Sequence, residues 1–407
     1  MRYISTRGMA PRVDFEGALF SGYAPDGGLF MPEELPQLSI ETLRQWSTLS
    51  YPGLVKELCT LFVGPELIPR DVLNGLIDQA FSRFRHREVV HLSRLRNGLN
   101  VLELWHGVTY AFKDLSLCCT AQFLQYFLEK KEKHVTVVVG TSGDTGSAAI
   151  ESVQGAKNMD IIVLLPKGHC TKIQELQMTT VLRENVHVFG AGCIAQKMGL
   201  PIRLVVAVNR NDIIHRTVQQ GDFSLSEAVE QTLASAMDIQ VPYNMERIFW
   251  LLSGSNSQVT RALMEQFERT QSVSLPKELH SKLSGAVTSE SVSDEAITQT
   301  MARCWEENKY LLCPHSAVAV SYHYQQTEQQ PPSLPRCCLA PASAAKFPEA
   351  VLAAGLTPET PAEILALESK GTRCTPMRKG DDWTLMLRDT IEDISCQQRG
   401  HFLNALE

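Results

Sequence analysis

Two periodicities alternate along the chain. Between residues 40 and 84 apolar positions recur every three to four residues, which predicts helices over 40–47, 51–62 and 70–84. Ahead of them, Pro25-Asp26-Gly27-Gly28 is a turn signal in an irregular N-terminal segment. A short apolar run at 101–104 predicts a strand leading into a helix that starts near Lys113 and carries Phe123, Phe127 and Leu128. From residue 135 onward, apolar β-branched runs alternate with helical stretches. Strands are expected at 135–139, 161–165, 186–189 and 203–208, with helices from Gly146, over 171–182 and over 191–198. That alternation is the pattern of a doubly wound α/β sheet. Val135-Thr136-Val137-Val138-Val139 has no polar alternation, so its strand is expected to be covered on both faces. Residues 211–330 read as largely helical. Pro331, Pro332 and Pro335 interrupt before an apolar strand at 337–339, and a last strand is expected at 383–387.

The layout predicted is therefore a mostly helical N-terminal domain (1–95), an α/β domain (96–210) and a helical, then mixed, C-terminal part (211–407). Hydrophobic residues make up 44% of the 407, enough for a real core. The net charge of −7 argues against a nucleic-acid surface or a basic membrane face. Eleven cysteines without Cys-x-x-Cys spacing give neither a disulfide framework nor a zinc motif, and the histidines show no His-Glu-x-x-His, so no metal is expected. No apolar run approaches the ~18 residues of a membrane span. Arg2, Arg7 and Arg12 are not followed by the apolar core of a secretory signal. A cytoplasmic protein with reduced thiols is expected, export by an unconventional route being the alternative.

The chemistry concentrates between His106 and Ser147. Gly140-Thr-Ser-Gly-Asp-Thr-Gly-Ser147 follows an apolar strand and precedes a helix. Glycines let the chain turn sharply and bring backbone N–H groups close to a ligand, and a helix N-terminus favours an anion there. The spacing is neither Gly-x-Gly-x-x-Gly, nor a nucleotide P-loop, nor a Gly-x-Ser-x-Gly elbow, since Asp144 holds the last glycine position. A plain strand-to-helix turn is the alternative reading. Lys113 is flanked by Ala111, Phe112, Leu115 and Leu117. A lysine desolvated among such neighbours has a lowered pKa and becomes an amine nucleophile, suited to a Schiff base with an aldehyde cofactor.

His106-Gly-Val-Thr-Tyr-Ala-Phe-Lys-Asp114 followed by the 140–146 loop resembles the threonine synthase family of pyridoxal-phosphate enzymes. Further stretches fit the same family in order: Tyr23-Ala-Pro-Asp-Gly-Gly-Leu-Phe-Met-Pro32, 237–247 with its Met-Asp-Ile and Glu-Arg elements, Cys313-Pro-His-Ser-Ala-Val318, and Ala342-Ser-Ala-Ala-Lys-Phe347. The resemblance implies an α/β fold of type II (tryptophan synthase β-like) and pyridoxal 5'-phosphate as cofactor. It implies a small phosphorylated amino acid as substrate, O-phosphohomoserine or O-phosphothreonine. Elimination of phosphate then leads to α-ketobutyrate and ammonia, the lyase outcome, or water addition gives threonine. Lys113 would be the catalytic lysine. Lys113, Asp144 and Ser343 would contact the cofactor, and Thr141, Ser142, Gly143, Thr145, His315 and Lys346 the substrate.

Two departures stand out. The family's second glycine-rich loop, Gly-x-x-Gly-Asn, and the Asn-Ser-Ile-Asn-Trp element before it are missing, because Gly190 is followed directly by Ala191 and a segment that resembles what comes after that loop. At ~30 residues per strand–helix–strand unit, roughly two units are gone and the sheet domain lacks strands. Where the family has a threonine for the pyridine nitrogen, this chain has Pro341, which has no hydroxyl; Ser343 is nearby. An alternatively spliced, non-catalytic form is the rival expectation. It would act through homo-oligomers or protein contacts, including signalling outside the cell.

Overall fold

Short polar side chains open many of the helices. Ser39, Ser50 and Ser293 each accept a hydrogen bond from a backbone N–H three residues on, and they precede the helices Ile40–Trp46, Tyr51–Phe62 and Asp294–Asn308. Thr171 and Gln174 form a reciprocal capping box at the start of Lys172–Thr179. The computed structural model of the chain describes residues 1–141, 143–165, 170–180, 197–329, 335–372, 374–378 and 380–404, with backbone alone over 397–404. The strand expected at 186–189, most of the helix expected at 191–198, the Gly190–Ala191 junction and Ser142 lie outside the described residues.

The N-terminal turn motif has a structural job. The Asp26 carboxylate accepts the backbone N–H groups of Gly28, Met9 and Ala10 and the Ser5 hydroxyl. This holds Tyr3–Ser5 beside Phe30–Pro32 as an antiparallel pair. Arg7, also buried, forks onto Glu246 with both donors at 3.1 Å, joining this ribbon to the helix Met245–Leu252.

The parallel strands are divided among small sheets. Arg336–Ala340 lies parallel to Leu99–Glu103, which pairs on its other side with His91–Arg94. Val135–Gly140 pairs with Met159–Leu164, and Leu204–Val208 with Val287–Ser291, both in parallel. Of the helices and strands expected from periodicity, those that fall within the described residues are present with shifted ends, with one exception. The late strand is a correction: 383–387 opens the helix Trp383–Asn404. There the Asp382 carboxylate accepts the Leu385 N–H and the Asp382 carbonyl that of Met386, so a helix start outweighs the apolar character of Trp383-Thr-Leu-Met. The strand Val135–Gly140 is a second correction. Among the described residues it has one neighbouring strand, and Val138 is 39% exposed. Val205 and Leu339 are also exposed on their strands. Parallel strands are ordinarily covered by helices on both faces, and among the described residues these three positions are not.

Three apolar clusters position the site. Leu99 and Val101 pack with Ile297, Met301, Val320 and Phe347. Phe123 and Phe127, on the helix Lys113–Lys131, pack against Leu73, Ile77 and Phe81. Leu117 of the same helix meets Val139, Ala148, Ala149 and Ile161. The Lys113 helix is thus fixed between the N-terminal helices on one side and the glycine-loop helix, Asp144–Val153, on the other. No helix among the described residues is long and apolar enough to cross a membrane.

Candidate active site

The segment before Lys113 is tied down from two directions. The Phe112 N–H donates to the Pro341 carbonyl at 2.6 Å and the Ser343 N–H to the Tyr110 carbonyl at 3.0 Å. Asp114 turns back to accept the Thr109 N–H at 2.9 Å and its hydroxyl at 2.8 Å. Burial raises the Asp114 carboxyl to about 6, against these two bonds. A β-carbon on Gly107 would stand 2.2 Å from an Asp114 oxygen, so only glycine fits this turn. Lys113 therefore starts its helix in a fixed direction.

The Lys113 side chain is half-buried, its Nζ 4.9 Å from the centre of the Phe112 ring. Desolvation lowers its pKa, and nearby Lys346 lowers it further, while Asp144 acts in the opposite sense. Among the described residues its amine has no hydrogen-bond partner. This matches the desolvated amine expected from its apolar neighbours.

The glycine loop arrives from the strand Val135–Gly140. Thr141 Oγ1 accepts the N–H groups of Gly143 and Gly146 at 3.1 and 3.0 Å, so this hydroxyl shapes the loop itself. Gly143 has φ +153° and ψ −111°, and a β-carbon there would lie 2.7 Å from Gln174 Nε2. This is one position where backbone conformation and close approach both require glycine. Among the described residues the N–H groups of Asp144 and Thr145 at the helix start have no partner. They and the positive helix end offer a place for an anion. The Thr145 side chain is half-buried.

Asp144 leads to Lys346. Its Oδ1 lies 2.7 Å from Lys346 Nζ and accepts Gln174 Nε2 at 2.9 Å. Burial alone would raise this carboxyl; the Lys346 and Lys113 charges and the two hydrogen bonds reverse that and hold it at about 2. Lys346 is wholly buried and also donates to the Thr109 carbonyl at 2.8 Å. It is not a surface lysine.

His315 lies in the same charge environment, with Asp144, Lys113 and Lys346 all acting on it. Burial and the two lysines bring it down to about 4. Its Nε2 accepts the Ala236 N–H at 3.0 Å, which places the imidazole proton on Nδ1. That Nδ1 is buried without a partner among the described residues. An unpaired buried donor is costly unless a ligand satisfies it. Ser343, by contrast, accepts the Ala345 N–H at 3.3 Å and borders a cleft of about 180 Å³ shared with Glu103, Trp105 and Tyr310.

Lys113, Asp144, His315 and Lys346 thus gather around the glycine loop, with Thr141, Gly143 and Thr145 in it and Ser343 beside Lys346. Gln174, Thr109 and Asp114 complete the network and were not expected from sequence. The Thr-x-x-Gln spacing at 171–174 announces a capping box, but nothing in it shows that the Gln174 amide reaches Asp144.

Comparison with known proteins places this geometry. The family model for the threonine synthase N terminus matches residues 2–81, and that for the threonine synthase C-terminal region matches 316–387. The chain is 74% identical to threonine synthase-like 2 of Pongo abelii, over 99% of each chain. That alignment runs over 481 positions against 407 residues here, so 481 less 407, at least 74 positions, face no residue of this chain. The structure of pyridoxal-phosphate-bound threonine synthase from Brucella melitensis superposes with a TM-score of 0.86 at 30% identity, covering 93% of this chain and 96% of that one. Yeast threonine synthase superposes with a TM-score of 0.88 at 29% identity, covering 97% and 99%. A fold shared at this level with a pyridoxal-phosphate enzyme, and an identity this high over the whole length, lead to one conclusion: the chain belongs to the threonine synthase family.

Proposed function

We propose that the chain is a pyridoxal-phosphate-dependent lyase of phosphorylated amino acids, O-phosphohomoserine and O-phosphothreonine, releasing phosphate, ammonia and α-ketobutyrate. The observation that carries this is the gathering of a desolvated lysine, an anion-binding loop and a buried cation around one spot. When bound, the cofactor supplies an aldehyde carbon and an electron sink. The chain's own residues do the rest. Lys113, whose pKa burial lowers and whose amine has no partner among the described residues, accepts and returns protons at Nζ. The Asp144 and Thr145 N–H groups hold the substrate carboxylate, oriented by the Thr141 hydroxyl and by Gly143. Lys346 and the His315 Nδ1–H, which has no partner among the described residues, meet the substrate phosphate, with Asp144 keeping Lys346 in place.

The Lys113 amine and the anion-binding loop suit the cofactor and the substrate; the cofactor's phosphate is less well served, because the sequence has no second glycine-rich loop, and so is its ring nitrogen. Pro341 offers the ring nitrogen no hydroxyl, and the Ser343 oxygen accepts from Ala345. We therefore propose that this form turns over weakly. The exposed strand residues Val138 and Val205 and the unmatched positions of the relatives favour a second reading, a non-catalytic form acting through protein contacts. A phosphate-release assay on purified chain with O-phosphohomoserine and added pyridoxal phosphate separates the two. Slow release that stops in Lys113→Ala supports the lyase. Release at the same rate from both proteins, or none at saturating cofactor, rejects it.

A further inference from the structure

Three histidines and two glutamates converge on the approach to Lys113, outside the network described above. His86, Glu88 and His91 each offer a ligand atom, and these atoms lie within 4.8 Å of one another. The His86 ring packs 4.9 Å from His91 and 4.5 Å from His106, centroid to centroid. The backbone brings them together at some cost. Val89, between Glu88 and His91, has φ +67°, a left-handed conformation that is unfavourable for a β-branched residue. The strand His91–Arg94 then fixes His91, and the Arg85 N–H bonds to the His106 carbonyl, fixing the other side.

We propose that His86, Glu88 and His91 form a binding site for a divalent transition-metal ion of the zinc, cobalt or nickel kind. Two imidazoles and one carboxylate are a ligand set for these ions; magnesium and calcium prefer all-oxygen sites. The Glu88 carboxylate already lies 2.8 Å from His91 Nδ1, and the His86 Nδ1 accepts the Glu88 N–H at 3.2 Å. The ion replaces these two hydrogen bonds, taking the imidazole lone pairs and one carboxylate oxygen, with water completing its coordination. The Glu88 charge offsets that of the ion, and Arg87 opposes it. His106 forms the wall of the site. Its Nε2 is held 2.7 Å from Glu103, which also accepts from Ser93 and Tyr310 and borders the cleft beside Ser343. The ion therefore fixes residues 86–91, and through the His86 ring packed on His106 it braces the turn that leads from Leu99–Glu103 to Lys113.

The test is a titration of the purified full-length chain with cobalt(II) chloride in a non-chelating buffer with excess magnesium, followed by visible absorption and calorimetry. One ion per chain should bind in the micromolar range, with ligand-field bands of nitrogen and oxygen donors. His86→Gln and His91→Gln should each weaken binding roughly 10-fold or more. His134→Gln, whose histidine pairs with Asp160 away from the cluster, should leave it unchanged. Circular dichroism identifies any variant that fails to fold, and Glu88→Gln, an exposed change, provides an independent third variant. The proposal is overturned if no saturable binding occurs, if thiolate charge-transfer bands appear, or if folded His86 and His91 variants bind as the parent does.

Discussion

Replacing Lys346 by methionine removes one charge from the centre of the proposed site while nearly keeping its volume. Lys346 is wholly buried and Asp144 almost so, with 2.7 Å between Nζ and Oδ1. Breaking a buried pair from one side leaves the other charge uncompensated, a loss of about 3–5 kcal/mol. Asp144 retains Gln174 at 2.9 Å and the more distant Lys113, so the lower end of that range is expected. The pH dependence gives a second signature. In the parent chain the Asp144 carboxyl is held at about 2 rather than 3.8, so its stabilisation is complete above 3.8 and is lost as pH falls through about 2. That difference corresponds to about 2 kcal/mol. In Lys346→Met the buried carboxyl loses its main counter-charge and takes up a proton at higher pH than in the unfolded chain. The variant's deficit should therefore shrink as the medium is acidified. Urea unfolding of both proteins at neutral and mildly acid pH measures this, and Asp144→Asn with the double variant closes the cycle. A deficit below about 1 kcal/mol that does not change with pH, with no coupling between the two positions, would refute the reasoning, because that is how an exposed pair behaves.

Gly143→Ala puts a β-carbon 2.7 Å from Gln174 Nε2 in a conformation reserved for glycine, and should cost ~1–3 kcal/mol in unfolding while weakening substrate binding more than cofactor binding. Asp114 has its folded pKa raised to about 6 from 3.8, so its contribution to stability falls as pH rises between these values, by about 3 kcal/mol. Asp114→Asn can keep both bonds to Thr109 and should flatten that slope in a pH series of melting curves. Pyridoxal phosphate should bind this chain about a thousandfold more weakly than a family member that has the second loop, since losing three charge-assisted donors at ~1.5 kcal/mol each costs about 4–5 kcal/mol; equal affinities in a fluorescence titration would contradict this.

The parts of the site legible in the sequence were local ones. The glycine loop shows in its composition, and the desolvation of Lys113 in its four apolar neighbours. What could not be read depends on contacts far apart in the chain. Lys346 is buried because Asp144 and Thr109, about two hundred residues earlier, satisfy it. The strand Val287–Ser291 was missed because Val-Thr-Ser-Glu-Ser has one apolar residue, and pairing with Leu204–Val208 supplies what its own sequence lacks. Val135–Gly140 misled in the other direction. Its uninterrupted apolar run is suited to a sheet covered on both faces, whereas Val138 is exposed here. The same run in relatives with at least 74 further positions need not face solvent.

The central claim is that Lys113 is the amine that takes the cofactor. Purified chain is incubated with pyridoxal phosphate, reduced with borohydride and digested, and the modified peptide is located by mass spectrometry. A single dominant adduct is expected on Lys113, and it should disappear in Lys113→Ala. An adduct centred on Lys346, or spread evenly over exposed lysines with Lys113 unmodified, would contradict it.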